Sequence, residues 1–222
     1  MKITIPYTPR KQQAYIHEQL DKFRYGLLCC HRRFGKTVMI INHLIKEAMI
    51  NKNHAPRFAY IAPTYSQAKK IAWDYLKHYT KSIPGTKWNE SELRCDFING
   101  ARISLLSSET PDSIRGIYLD IAVCDEAAMV SHELINEVLI PALSDRRGKL
   151  FLISTPNGMA NLFYDYYQKA QADPKWFLYV AKASETGIVD KEELNAALAV
   201  MGSQKYSQEF ECSFIGNIQG SI

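Results

Sequence analysis

Residues 30–37 restrict this chain more than any others. Cys30, His31, Arg32, Arg33, Phe34, Gly35, Lys36 and Thr37 end a short apolar run at 25–30 and open a helical pattern over 36–50. Except that Cys30 stands where the first glycine belongs, they match G-x-x-x-x-G-K-[ST], the loop that joins a strand to a helix around a phosphate chain. The spacing follows from chemistry. Backbone N–H groups of such a loop and of the first helical turn surround phosphate oxygens, Gly35 lets the backbone approach, Lys36 reaches the β- and γ-phosphates, and the Thr37 hydroxyl ligates Mg²⁺. All of 30–37 are therefore nucleotide-binding candidates, with ATP and Mg²⁺ as the expected cofactors. Arg32 and Arg33 are unusual here, because guanidinium groups in the loop can meet phosphates or a nearby carboxylate. The plainer alternative is a Gly-Lys-Thr that merely begins a helix.

Further apolar runs at 57–62, 121–124, 150–154 and 176–180 alternate with helical patterns such as 65–80. Short buried strands separated by helices predict an α/β fold with a mainly parallel central sheet flanked by helices. Residues 93–97 and 101–107 flank Ile98-Asn99-Gly100, and Asn-Gly favours the positive φ angles of a tight hairpin. After Ala183 the sequence turns polar, with short helices expected at 191–201 and 203–211 around Gly202. The expected organisation is a P-loop core over 1–183 and a small C-terminal lid over 184–222, whose last residues, 216–222, read as a linker.

The run 121–124 ends in Asp125-Glu126-Ala127-Ala128, as a Walker B strand does. Asp125 at the strand tip would hold Mg²⁺ through water beside Thr37, while Glu126 would orient and deprotonate an attacking water. Two acids can also simply cap a following helix. A glutamate directly after the aspartate favours a hydrolase over a small-molecule kinase, which must keep water from its γ-phosphate.

Composition narrows the class without choosing a function. With 222 residues, 46% of them hydrophobic, the chain can bury one substantial core. No apolar stretch approaches the roughly 20 residues of a bilayer span, and no signal-peptide pattern opens the chain, so an intracellular protein with no membrane partner is expected. Five cysteines form no C-x-x-C pair and are expected reduced and buried. The six histidines show no metal-binding spacing and are expected at the surface or behind the site. The aromatic run 163–167 is expected in the core rather than as a base-stacking platform. A net charge of +4 permits a polyanionic partner without requiring one.

Several segments together point further. They are Arg32 with Lys36 in a divergent phosphate loop, Ile114-Arg115-Gly116 ahead of the acids, Asp125-Glu126-Ala127, and Ser154-Thr155-Pro156-Asn157-Gly158 after the next strand. In these the chain resembles, over nearly its whole length, the large terminase subunits of tailed bacteriophages, whose N-terminal ATPase drives DNA into the capsid. Terminase loops often lack the first glycine, so Cys30 fits the resemblance. It implies an ASCE-type, RecA/helicase-like P-loop NTPase in which Glu126, Arg115, Lys36 and Arg32 are catalytic. Arg115 would be an arginine finger projected into a neighbour's ATP site within a ring, a pentamer in the family, and worth about 10³ to 10⁵ in rate. Arg146 and Arg147 are rival finger or DNA-contact candidates. Ser154 and Thr155 resemble a coupling motif, and Tyr7 to Gln13 resembles the adenine-reading Q motif, with Gln12 and Gln13 both able to pair with an adenine edge.

The implied partners are double-stranded DNA, the capsid portal and the small terminase subunit. The implied location is the infected host's cytoplasm, transiently at the procapsid portal. No acidic metal cluster follows the lid, so the family's nuclease domain is expected beyond Ile222. The first domain of a superfamily 2 helicase shares the Q motif, the P-loop and the acids, but takes its finger from a second RecA-like domain in the same chain. A non-catalytic nucleotide-gated assembly module is the other rival, and the intact Glu126 speaks against it.

Overall fold

The computed structural model describes residues 4–215, so the linker-like stretch expected at 216–222 lies outside the described residues. Helix α1 (Lys11–Lys22) leads into β1 (Tyr25–Cys30), and α2 (Lys36–Ile50) follows the phosphate loop. Next come β2 (Arg57–Ala62), α3 (65–80), the short strands β3 (Lys87–Asn89) and β4 (Arg94–Asp96), and β5 (Arg102–Ser107). The second half contributes β6 (Ile121–Asp125), α4 (134–144), β7 (Lys149–Ser154), α5 (Leu162–Ala172), β8 (Trp176–Ala181), the single turn α6 (Ala183–Thr186) and α7 (Lys191–Phe210).

The strands form one sheet in the order β3-β4-β5-β2-β6-β7-β1-β8. From β5 through β8 every pairing is parallel, whereas β3 and β4 extend one edge antiparallel. The expected mainly parallel sheet is thus present, with β7 between β1, which leads into the 30–37 loop, and β6, which ends in the acids. Parallel strands buried on both faces read as continuous apolar runs, and their alternation divides the core. Leu28, Phe58, Tyr60, Val123 and Phe151 face α1, α2 and α3. Leu27, Ile61, Ala122, Cys124 and Leu152 face α4 and α5. Each large side chain so buried contributes about 1.5–3 kcal/mol.

Three local expectations are refined. Helix α3 spans 65–80 but carries a π-helical stretch, Ala68–Trp73, in its middle. The hairpin forms between β4 and β5, yet its loop is longer than a two-residue turn. It closes through Phe97 N–H to Ala101 O at 2.9 Å and Gly100 N–H to Phe97 O at 2.9 Å, and Gly100 alone of Asn99-Gly100 takes a positive φ, +84°. In α7 the helix breaks at Gly202 (φ 78°, ψ 161°), a conformation open to glycine and hardly to other residues, so segments 191–201 and 203–210 diverge there. The chain then returns to the core, where Cys212 and Phe214 are buried beside Phe163, Tyr164 and Tyr167. That contact places the aromatic run against the core as expected. All five cysteines are buried and free.

Most of the histidines lie at the surface or behind the loop, as expected, and the exceptions are His17 and His43. His54, His78 and His132 are exposed, but His31 and His43 are fully buried. The rings of His17 and His43 stack, with Nδ1 atoms 3.1 Å apart and Tyr7 OH 3.0 Å from His17 Nε2. Asp21, His43 and Glu47 bring potential ligand atoms within 4.8 Å of one another. The Lys46 ammonium pairs with both carboxylates.

Burial holds His17 down to about 4 and His43 well below its ordinary value, with Lys46 adding to both. A base whose folded pKa is depressed binds protons more readily unfolded. Stability is therefore full above about 6.5 and is lost as pH falls toward 4. Urea unfolding is expected to show a loss on the order of 2 kcal/mol across that window, whose upper part, above about pH 5, lies clear of ordinary carboxylate titration. His17→Gln should flatten this slope; an unchanged slope in the variant would show that the histidine pair does not set it.

Candidate active site

The phosphate loop turns between the carboxyl end of β1 and the first turn of α2. Cys30 is still in the strand, paired with Ala181, and its side chain is wholly buried, which is why no glycine is needed there. The positive φ angles fall later, at Arg33 (71°) and Gly35 (82°). A Cβ on Gly35 would lie 2.8 Å from the Arg10 guanidinium. His31 and Phe34 point inward, with the His31 ring held between Arg32 O at 2.6 Å and Thr186 Oγ1 at 2.9 Å. Only the backbone of these two residues is available to phosphate. Lys36 Nζ donates to the carbonyls of Cys30 and His31 at 3.0 and 3.4 Å, across the mouth of the loop.

The strand β6 delivers the acids to the same place. Asp125 is 4% exposed, and its Oδ2 accepts from Thr37 Oγ1 at 3.0 Å and from Tyr60 OH at 2.6 Å. A hydroxyl facing a carboxylate is a hard-oxygen pair that suits Mg²⁺, so these residues fit the expected ion. Glu126 takes a left-handed conformation (φ 51°), uncommon for a residue with a Cβ, which turns it out of the strand direction. Burial, and next the neighbouring Asp125 charge, raise its carboxyl above the usual range, making it a stronger base than an exposed glutamate. Ser154, at the end of adjacent β7, donates to Glu126 Oε2 at 3.5 Å and accepts from Ala128 N–H at 3.4 Å.

Arg32, Arg33, Gly35, Lys36, Thr37, Glu126 and Thr155 line one cleft of about 550 Å³. Ile71 and Tyr75 of α3 and Glu209 of α7 complete its walls. Glu209 is joined to the loop twice, through its carbonyl to Arg32 N–H at 2.8 Å and through its carboxylate to the Arg32 guanidinium at 3.7 Å. Gln13 is buried behind the loop. Its Oε1 accepts from Arg10 N–H at 3.0 Å, and its Nε2 faces the carbonyls of Phe34 and Gly35 at 3.5 and 3.4 Å. Arg10 also donates to Phe34 O. Gln12 is half-buried and donates to Thr186 O at 3.2 Å. Both glutamine side chains are therefore committed to protein partners, Gln13 at both ends of its amide.

The arginines separate. Arg115 leaves the nucleotide cleft to others and lies among Asp112, Glu133 and Glu137, at 2.8, 3.5 and 3.8 Å, with its side chain 46% exposed. Arg146 and Arg147 precede β7, at the edge of the sheet opposite the phosphate loop. Arg146 stacks on Tyr118 at 3.8 Å and donates to His54 O at 2.9 Å, while Arg147 is exposed. Tyr60, Arg10, Thr186 and Glu209 were missed by sequence reasoning. Tyr60, in a run that is otherwise apolar from Phe58 to Ala62, carries the signal that could have found it.

Comparisons with known proteins bear on the family and the fold. Residues 31–220 match the family described as "Terminase large subunit, T4likevirus-type, N-terminal". The large terminase subunit of Escherichia phage T5 is 26% identical over 215 residues, 93% of this chain and 48% of that protein. That of Thermus virus P23-45 is 28% identical over 180 residues, 72% of this chain and 36% of that protein. The chain thus spans half or less of the length of these relatives. Among solved structures, the large terminase ATPase domain of Thermus phage P74-26 superposes with a TM-score of 0.79 at 22% identity, covering 95% of this chain and 96% of that one. The large terminase of another thermophilic bacteriophage, solved in complex with ADP, gives 0.78 at 16% identity, covering 92% and 53%.

Gly35→Ala should place a methyl group against Arg10 at an unfavourable φ, lowering stability by about 1–3 kcal/mol and weakening nucleotide binding. Urea unfolding and titration with a fluorescent ADP analogue measure both. A variant as stable as wild type with unchanged affinity would show that the loop tolerates a side chain there.

Proposed function

The chain belongs to the terminase large-subunit family, in its N-terminal region, and from that premise we propose that it is an ATP-hydrolysing motor domain that moves double-stranded DNA into a viral capsid. The observation that carries the reading is the convergence of Lys36, Thr37, Glu126 and Thr155 on one cleft at the carboxyl edge of a parallel sheet. Loop N–H groups and Lys36 hold the β- and γ-phosphates. Thr37 and, through water, Asp125 would hold Mg²⁺, which would neutralise charge on the phosphate oxygens. Glu126 takes a proton from water as its oxygen attacks the γ-phosphorus; the bond to the bridging oxygen breaks, and ADP leaves with the electron pair. Ser154 orients the Glu126 carboxylate, and with Thr155 it lies where a change at the γ-phosphate reaches β7. The bond between Arg32 and Glu209 ties the same cleft to α7.

On this reading 1–183 form the core and 184–211 the lid, with Cys212 and Phe214 packed back on the core, and the expected linker at 216–222 lies outside the described residues. The committed amides of Gln12 and Gln13 support a role in shaping the loop, and adenine reading by either requires its present partner to be released. Arg115 acts in trans. Its distance from the cleft in its own chain and its half-exposed position among acids suit a group offered to a neighbouring subunit, which supports a ring, by family a pentamer. Arg146 is less suited, being stacked and bonded at the opposite edge. Portal, small subunit and host cytoplasm complete the proposed setting. Among the described residues, no helix is long and apolar enough to cross a membrane.

Mixing separates trans from cis action. Arg115→Ala and Glu126→Ala chains, each folded and inactive, are combined at high concentration and assayed for ATP hydrolysis with and without linear DNA. Partial recovery is expected, because some interfaces pair an intact site with an intact finger. No recovery where the wild-type chain assembles and hydrolyses ATP removes the trans role of Arg115.

A further inference from the structure

Strand β2 reads Arg57-Phe58-Ala59-Tyr60-Ile61-Ala62, so Tyr60 puts a polar atom into an interior that is apolar from 58 to 62. The residue is 3% exposed, and a phenylalanine would fill the same apolar space. Packing alone does not account for the hydroxyl. It donates to Asp125 Oδ2 at 2.6 Å, the oxygen that also accepts from Thr37 Oγ1 at 3.0 Å, while Oδ1 accepts from Glu126 N–H at 3.0 Å. Three donors from three places, β2, the start of α2 and the residue after β6, thus surround one carboxylate. Because β2 is the immediate neighbour of β6, with Tyr60 opposite Val123 and Ile61 opposite Cys124, the phenol reaches Asp125 from a rigid element.

The terminal torsion of an aspartate is soft, so its oxygens point where their partners hold them. Thr37 is an unreliable partner, since its hydroxyl is expected to turn to the metal ion when nucleotide binds. The Tyr60 hydroxyl also meets that of Thr37, but it is held on a central strand beside β6 and remains. On the ATPase reading above, we propose that Tyr60 is a positioning residue that fixes the Asp125 carboxylate for Mg²⁺-nucleotide binding. Partners behind a metal-holding group set its direction and basicity, and their loss weakens metal binding without touching the nucleotide's other contacts.

Tyr60→Phe deletes the hydroxyl and keeps the ring. Binding of a fluorescent ADP analogue is measured in EDTA and across a Mg²⁺ titration, which needs neither ring assembly nor turnover. The Mg²⁺ concentration for half-maximal enhancement of affinity is expected to rise on the order of tenfold, with affinity in EDTA within about twofold of wild type. Incorporating 4-aminophenylalanine at position 60, which restores an N–H donor, should return the Mg²⁺ response toward wild type. An unchanged Mg²⁺ midpoint in folded Tyr60→Phe overturns the proposal. So does an equal loss of affinity with and without Mg²⁺, which is what a purely structural role produces. If circular dichroism shows the phenylalanine variant unfolded, 4-fluorophenylalanine at position 60 fills the hydroxyl's volume without a proton to donate and is judged by the same outcomes. A wild-type chain whose nucleotide affinity ignores Mg²⁺ removes the ATPase reading and this proposal together, whereas a Mg²⁺-responsive wild type with an indifferent variant removes the proposal alone.

Discussion

A carboxylate buried at the tip of a parallel strand must be surrounded by donors, because an uncompensated charge in that position costs several kcal/mol. Asp125 meets this requirement by drawing on Thr37 and Tyr60. Those residues belong to the first turn of α2 and to β2, so the same interaction that makes the acid tolerable also fixes where the phosphate loop sits relative to β6. The sheet order makes this possible. With β7 between β1 and β6, and β2 on the far side of β6, the loops after four parallel strands open at one edge.

The loop itself is held from behind as well as from the side. Arg10 and Gln13 at the start of α1 take the carbonyls of Phe34 and Gly35, and the buried His31 ring ties the loop to Thr186 beyond β8. Of the loop's own N–H groups, those of His31, Arg32 and Phe34 are bonded to the carbonyls of Ala181, Glu209 and His31, so an anion would draw on the N–H groups nearer the start of α2. The cost is visible in the backbone, where Arg33 and Glu126 take left-handed conformations that side chains disfavour.

On the solvent side the cleft is closed by α7. The chain breaks at Gly202, turns Glu209 toward Arg32 and then buries Cys212 and Phe214 in the core beside β1 and α5. Because Cys212 and Phe214 fix the chain just after its contact with the loop, Glu209 is held at the wall of the cleft. The aromatic run on α5 serves that anchorage, since Phe163, Tyr164 and Tyr167 pack on Phe214.

The phosphate loop and the acid pair were legible in the sequence because their chemistry needs contiguous residues: a loop of fixed length after a strand, and two acids at a strand tip. The strands were legible for a related reason, as burial on both faces leaves continuous apolar runs, and 25–30 and 57–62 form β1 and β2 as expected. The residue behind the acids was not, because Tyr60 reaches Asp125 only once β2 is placed beside β6, and strand order is set by packing rather than by any local pattern. The same holds for Gln13, whose amide reads as a base-recognition group in sequence and is spent on the loop in the folded chain, and for Glu209, which becomes part of the cleft only when α7 folds back on it. Sequence by itself determined which residues could handle a phosphate, since that is a property of short segments. Tertiary structure decided which partners orient them, since hydrogen bonds between distant elements depend on where a fold brings their ends together.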